Sequence, residues 1–203
     1  MDIVRMKNKT ALIVGNGPSL ATTPRDFLLR YPSFGTNKIF LLDNFAPNFY
    51  VAVNPDMIPY VDEINRLKSI KYISDKFAHR INGAIPIHSV SDRRFFESQS
   101  IDNRLWEGYG VTYCCLQIAY WLGYKTALLV GVDHRYNNDT TKGNHFSDEY
   151  ENGIPVITHV MDNLIPAYEL ARDAYAKVGR RIVNLTKDSA LDIFQKGNID
   201  EWN

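Results

Sequence analysis

Apolar positions along the chain gather into short unbroken runs, separated by longer stretches in which they recur every three or four residues. Thr10 to Val14, Phe49 to Asn54, Ile70 to Ser74, Ala84 to His88, Thr126 to Val132 and Arg181 to Leu185 have the length and content of strands. Helices are expected from Pro24, from about Ile58 to Leu67, from Val111 to Leu122 and from about Val160 to Val178. Alternation of the two predicts an α/β, Rossmann-like chain, with a mostly parallel central sheet flanked by helices.

Two of the helices carry a full buried stripe. Val111, Cys114, Cys115, Ile118, Ala119 and Leu122 keep one face, and Gly123 supplies a stop. Val160, Leu164, Tyr168, Ala171, Tyr175 and Val178 do the same ahead of Gly179. After the first strand, Thr23-Pro24-Arg25-Asp26 reads as a helix start with Thr23 as the cap, which leaves GNGPSLATT as a long turn.

At 203 residues the chain suits a single domain over 1–203, with a polar, aperiodic lid loop over about 136–158. Lys+Arg 23 balances Asp+Glu 23, so no global field draws the protein to nucleic acid, and none is expected as a partner. Adjacent Cys114 and Cys115 on a helix point apart and read as free thiols of a reducing compartment. Charges in the opening MDIVRMKNK break any signal-peptide core, and a cytoplasmic location is expected. Peripheral membrane association and a homo-oligomer are both compatible with this composition.

Candidate chemistry collects at the ends of the strands. In GNGPSL, Gly15 and Gly17 permit close approach of a backbone, while Asn16 and Ser19 offer donors to a phosphate or sugar. The loop lacks the Gly-Lys-Ser/Thr ending of a Walker loop, and Leu20 replaces the third glycine of a dinucleotide fingerprint. A structural turn accounts for it equally well. Asn37 and Asn54 close two further apolar segments, with amides suited to a base edge or ribose hydroxyl, although Asn54-Pro55 is also an ordinary turn opener.

Gly131-Val132-Asp133-His134-Arg135-Tyr136 ends another strand, with groups able to orient a base, hold a cation or neutralise a departing phosphate. His134, His145 and His159 lie in or beside the lid, where an imidazole can serve as general base. Their spacing with Asp133 matches no familiar metal motif, and no metal is expected.

Taken in order, ALIVGNGPSL, Asn37, VAVNPDM, GYGVTYCCLQIAYWLGYKTALLVGVDHRY and HVMDNLIPAYELARDAY leading to RRIVNLT resemble the bacterial sialyltransferases of glycosyltransferase family 42. They are also similar to the related domain family that includes 6-hydroxymethylpterin diphosphokinase and motility-associated glycosyltransferases. The resemblance runs from Ala11 to about Leu191.

It implies an inverting, metal-independent transferase with no tightly bound cofactor, using a CMP-linked or similar nucleotide donor and a glycan or small hydroxyl acceptor. Asn16, Asn37 and Asn54 would bind the nucleotide, His159 would be the base, and Tyr136 or Arg135 would stabilise the leaving phosphate. Where the sialyltransferases have a threonine-serine pair before the helix glycine Gly110, this chain has Gly108-Tyr109, so the sugar contacts expected at Tyr109 and Gly110 differ. The lid is shorter and carries HFSDEY, as in the wider family. The alternatives are an ATP- and Mg²⁺-dependent diphosphokinase with Asp133 facing the metal, and a nucleotide-binding module without catalysis.

Overall fold

The computed structural model describes residues 10–90, 104–136, 143–151 and 161–202. Within these residues nine strands pair in one parallel sheet. They are β1 (Thr10–Val14), β2 (Ser33–Thr36), β3 (Phe49–Ala52), β4 (Ile70–Ser74), β5 (Ile85–Ser89), β6 (Arg104–Leu105), β7 (Thr126–Val130), β8 (Arg181–Asn184) and β9 (Gln195–Lys196). Their order across the sheet is β6-β5-β4-β3-β2-β1-β7-β8-β9.

From β1 the chain steps outward to β6, then crosses back through a helix to the other side of β1. Consequently β1 and β7 lie side by side, in register from Thr10 against Thr126 to Val14 against Val130, although they are far apart in sequence. Their loops diverge at that point, which opens a crevice beyond the carboxyl ends of the two strands.

The unbroken apolar strands follow from burial on both faces. Ala11 and Ile13 point into one apolar layer with Ala127 and Leu129, whereas Leu12 and Val14 point into the opposite layer with Leu128 and Val130. The first layer is closed by α3 (Val111–Trp121) and α4 (Met161–Lys177), the second by α1 (Arg25–Leu28) and α2 (Val61–Arg66). Cys114, Cys115, Ile118 and Ala119 are buried against the sheet, and both cysteines are free thiols. Truncating Ile118 to alanine in such a packed layer costs roughly 2–5 kcal/mol.

From α4, Leu164, Tyr168, Ala171 and Tyr175 are buried, and the Tyr175 hydroxyl donates to the Leu116 carbonyl of α3 at 2.8 Å. Gly123 (φ 86°) and Gly179 (φ 69°) end the two helices in the left-handed conformation that favours glycine.

Local details differ from the sequence reading. GNGPSLATT is not an open turn: a 3-10 helix occupies Pro18–Thr22, and α1 is a single turn begun at Pro24 with no side-chain cap. Thr23 instead donates its hydroxyl to the Ser19 carbonyl at 3.1 Å, because the 3-10 helix brings that carbonyl within reach. The expected helix from Ile58 starts as a 3-10 helix over Pro55–Tyr60, with Pro59 inside it, and becomes α-helical only at Val61. Of the expected lid, 137–142 and 152–160 lie outside the described residues.

Candidate functional site

The crevice between β1 and β7 is a cleft, and the two loops that form it hold each other in place. Gly15 N–H donates to the Val130 carbonyl and Gly17 N–H to the Gly131 carbonyl, each at 2.8 Å. A Cβ on Gly15 would collide with the Gly131 carbonyl, and one on Gly17 with the Asp133 carboxylate. The two glycines of GNGPSL are thus required by the neighbouring strand end.

Ser19 completes this junction. Its backbone N–H donates to Asp133 Oδ1 at 3.1 Å and its hydroxyl to Oδ2 at 2.8 Å. The Ser19 donors expected to meet a ligand are spent inside the protein, and Ser19 lines a different cavity, shared with Thr22 and Lys187. Asp133 itself lines the cleft with both oxygens engaged.

Asn16 is held differently. Its Nδ2 donates to the Thr36 carbonyl at 3.1 Å and to Thr36 Oγ1 at 2.8 Å. A carbonyl only accepts, so this bond fixes which end of the amide is nitrogen. Asn16 Oδ1 is buried in the cleft wall with no hydrogen-bond partner. Asn37, on a left-handed backbone (φ 48°) just after β2, likewise lines the cleft with a buried, unpartnered Oδ1.

From the β7 side come His134, Arg135 and Tyr136. Burial lowers the His134 pKa, and the nearby Lys196 lowers it further, so the ring is neutral at pH 7. Burial raises the Tyr136 hydroxyl and Asp133 adds to the rise, so the phenol keeps its proton and can donate. Tyr150 and Tyr168, also raised chiefly by burial, line the same cleft as protonated phenols.

Part of the expected lid covers this cleft. Phe146 N–H donates to the Asn16 carbonyl at 3.0 Å, and His145, at the cleft, stacks on Tyr150 with ring centroids 3.8 Å apart. Lys38, 1% exposed, donates its ammonium to the Tyr150 carbonyl at 2.8 Å and lies 4.5 Å from the Tyr60 ring centre.

The cleft therefore gathers Gly15, Asn16, Gly17, Asn37, Asp133, Arg135, Tyr136 and His145 of the residues singled out in the sequence. Others stand elsewhere. Asn54 caps the 3-10 helix at Pro55, accepting from Asp56 N–H at 3.0 Å and donating to the Asp56 carboxylate at 2.9 Å, and it does not line the cleft. Tyr109 is 51% exposed and edge-on to Trp106, and Gly110 opens α3 where a Cβ would press on Leu164. His159 lies outside the described residues.

His134, one of the three candidate imidazoles, also lines the cleft. Tyr150, Tyr168 and Thr36 join it without having been assigned to it from sequence. Tyr168 belongs to the buried stripe of α4, and the pattern gives no sign that it also borders a cleft. Among the described residues no group of three or more His, Cys, Asp or Glu is placed to hold a metal, and no helix is long and apolar enough to cross a membrane.

No protein-family model matches the chain, so neither family resemblance gains support there, and no curated protein matches it. The fold is similar to that of the sialyltransferase CST-II, whose crystal structure contains a trisaccharide acceptor and CMP. The TM-score is 0.52 at 17% sequence identity, over 94% of this chain and 87% of that one. The likeness establishes a sialyltransferase-like α/β fold for this chain.

Proposed function

We propose that this protein is a glycosyltransferase of the sialyltransferase type, moving a sugar from a nucleotide-activated donor, CMP-linked or similar, to a glycan or small hydroxyl acceptor. The observation that carries this reading is the set of buried, unpartnered atoms Asn16 Oδ1, Asn37 Oδ1 and His134 Nε2 lining one cleft at the β1/β7 divergence. Buried polar groups left unpaired cost free energy unless a ligand completes them. The sialyltransferase-like fold supports the choice of reaction.

In this reading an acceptor hydroxyl gives its proton to His159 and its oxygen attacks the anomeric carbon, with inversion. The bond from that carbon to the phosphate oxygen breaks, and its electron pair stays on the nucleotide. Arg135 and the protonated Tyr136 stabilise the charge that develops there, which is the role otherwise given to a metal. Under the alternative diphosphokinase reading Asp133 would face a metal; in this one it joins the two loops through its bonds to Ser19.

Thermal unfolding with nucleotide panels tests the proposal. CMP or CDP should raise the midpoint with EDTA present. Stabilisation by ATP only with Mg²⁺, or by no nucleotide, would overturn it.

A further inference from the structure

After β7 the backbone turns through His134 in the left-handed region, at φ 53°. A side chain there costs conformational energy, which persists only where the surroundings over-determine the chain. Here they do. Val132 N–H donates to Thr186 Oγ1 at 3.0 Å, Ser189 Oγ donates to the Val132 carbonyl at 2.7 Å, and Ala190 N–H donates to the Asp133 carbonyl at 2.8 Å. With Asp133 also fixed by Ser19, the turn is held from both sides, and the His134 imidazole is placed at the cleft edge-on to Tyr168, centroids 6.1 Å apart. Its Nε2 is buried and has no hydrogen-bond partner.

Polarity is divided across the cleft. Asn16 and Asn37, on the β1 and β2 side, present amide oxygens that can only accept. Such atoms suit the hydroxyls and amines of a nucleoside. A phosphate carries acceptors alone and must lie against donors, which the β7 side supplies in Arg135, Tyr136 and a neutral imidazole.

We propose that His134 is a ligand-contacting residue that donates Nε2–H to a phosphate oxygen of the bound nucleotide, with the nucleoside toward Asn16 and Asn37. The inference rests on the nucleotide-transferase reading and adds to it a residue and an orientation.

Nuclear magnetic resonance of the full chain, with imidazole ¹⁵N and side-chain amide signals assigned, tests it using CMP and cytidine as probes. CMP should shift the His134 Nε2–H signal and cytidine should leave it in place, while both move the Asn16 amide. If CMP moves Asn16 but not His134, or cytidine moves His134 as far as CMP does, the His134 assignment is overturned and the nucleotide reading stands. If CMP moves neither, the nucleotide reading falls and takes this one with it.

In binding assays H134F, which keeps the ring beside Tyr168, should weaken CMP about tenfold without changing cytidine affinity, and H134Q, which restores a donor, should recover most of the loss. H134G suits the left-handed backbone, carries no side-chain donor and gives the same comparison should the phenylalanine variant not fold. Equal loss for both probes, or no loss for CMP, overturns the proposal.

Discussion

Both carboxylate oxygens of Asp133 accept hydrogen bonds from Ser19, one from its backbone at 3.1 Å and one from its hydroxyl at 2.8 Å. The contact joins the loop after β1 to the loop after β7 across 114 residues of sequence. It fixes the floor of the cleft, so its loss should appear first as lost stability. S19A should lower unfolding free energy by about 1 kcal/mol, and G17A, which drives a methyl into the same carboxylate, by more than about 2 kcal/mol. Urea unfolding of the two variants gives the comparison, and an S19A protein as stable as wild type would mean the junction is held by the backbone bonds alone.

Asn16 separates support from recognition within one side chain. Its nitrogen is tied to Thr36 while its oxygen, in a residue that lines the cleft, is left without a partner, so N16A should weaken CMP binding about tenfold. N16D keeps an acceptor but loses the donor to the Thr36 carbonyl, and should weaken binding and lower stability together. Calorimetric titration reads the first effect, and unchanged CMP affinity in N16A would remove GNGPSL from the site.

How far the sequence anticipated all this differs by element. The stripe of α4 was legible from Leu164 to Tyr175 because that helix buries one face, although Val178 beyond its end is 45% exposed; in α3 every residue from Tyr113 to Ala119 is buried, so the helical spacing marked only part of what that helix buries. Strand β2 was read only from its end at Asn37 and given no start, since Ser33–Thr36 is four residues long and its glycine packs against Pro47 and Ile39. Strand β9 is two exposed residues at the sheet edge and has no apolar signal at all. In the site, the spacing of Gly15 and Gly17 was visible but its cause was not, because the atoms that exclude a side chain belong to Gly131 and Asp133. Asn54 misled for a related reason: an asparagine before proline can serve a ligand or its own backbone, and here it caps a 3-10 helix.

His134 should also leave a mark on stability against pH. Its pKa is held below the ordinary 6.5 by burial first and Lys196 second. Unfolding returns the ring to its ordinary value, so the unfolded chain binds more protons as pH falls below that value. The contribution is therefore full above about pH 6.5 and is lost as pH falls through the lower folded value. Urea midpoints at about pH 7.5 and pH 5.5 should differ more for wild type than for H134N, and equal differences would mean the ring is not shielded.

His159 has the sequence place of the base, two residues before the start of α4 at Met161. Under the proposed chemistry, H159A should lose turnover by at least about a hundredfold while CMP affinity stays within a factor of about two. Sugar transfer and CMP binding measured on the same preparation decide this. Collapse of CMP affinity would move His159 from proton transfer to nucleotide binding.

Lys38 is a further charge close to the site, and it is almost completely buried. Its ammonium donates to the Tyr150 carbonyl at 2.8 Å and lies against the Tyr60 and Tyr150 rings at 4.5 and 5.4 Å. Tyr150 in turn stacks on His145, and the adjoining Phe146 amide is bonded to the Asn16 carbonyl. The cation thus fastens residues 143–151 over the cleft by a bond to main chain, which a change of lid side chain would not disturb. K38M keeps the apolar stem and removes the donor, so the cost falls on the Tyr150 carbonyl, left buried without its partner. Exchange of the Phe146 amide should become about tenfold faster, with global stability changing less than this local opening. Hydrogen exchange followed residue by residue tests it: an unchanged Phe146 rate would show that the segment is held by ring packing, and a loss equal across the whole sheet would show that Lys38 serves the core rather than the lid.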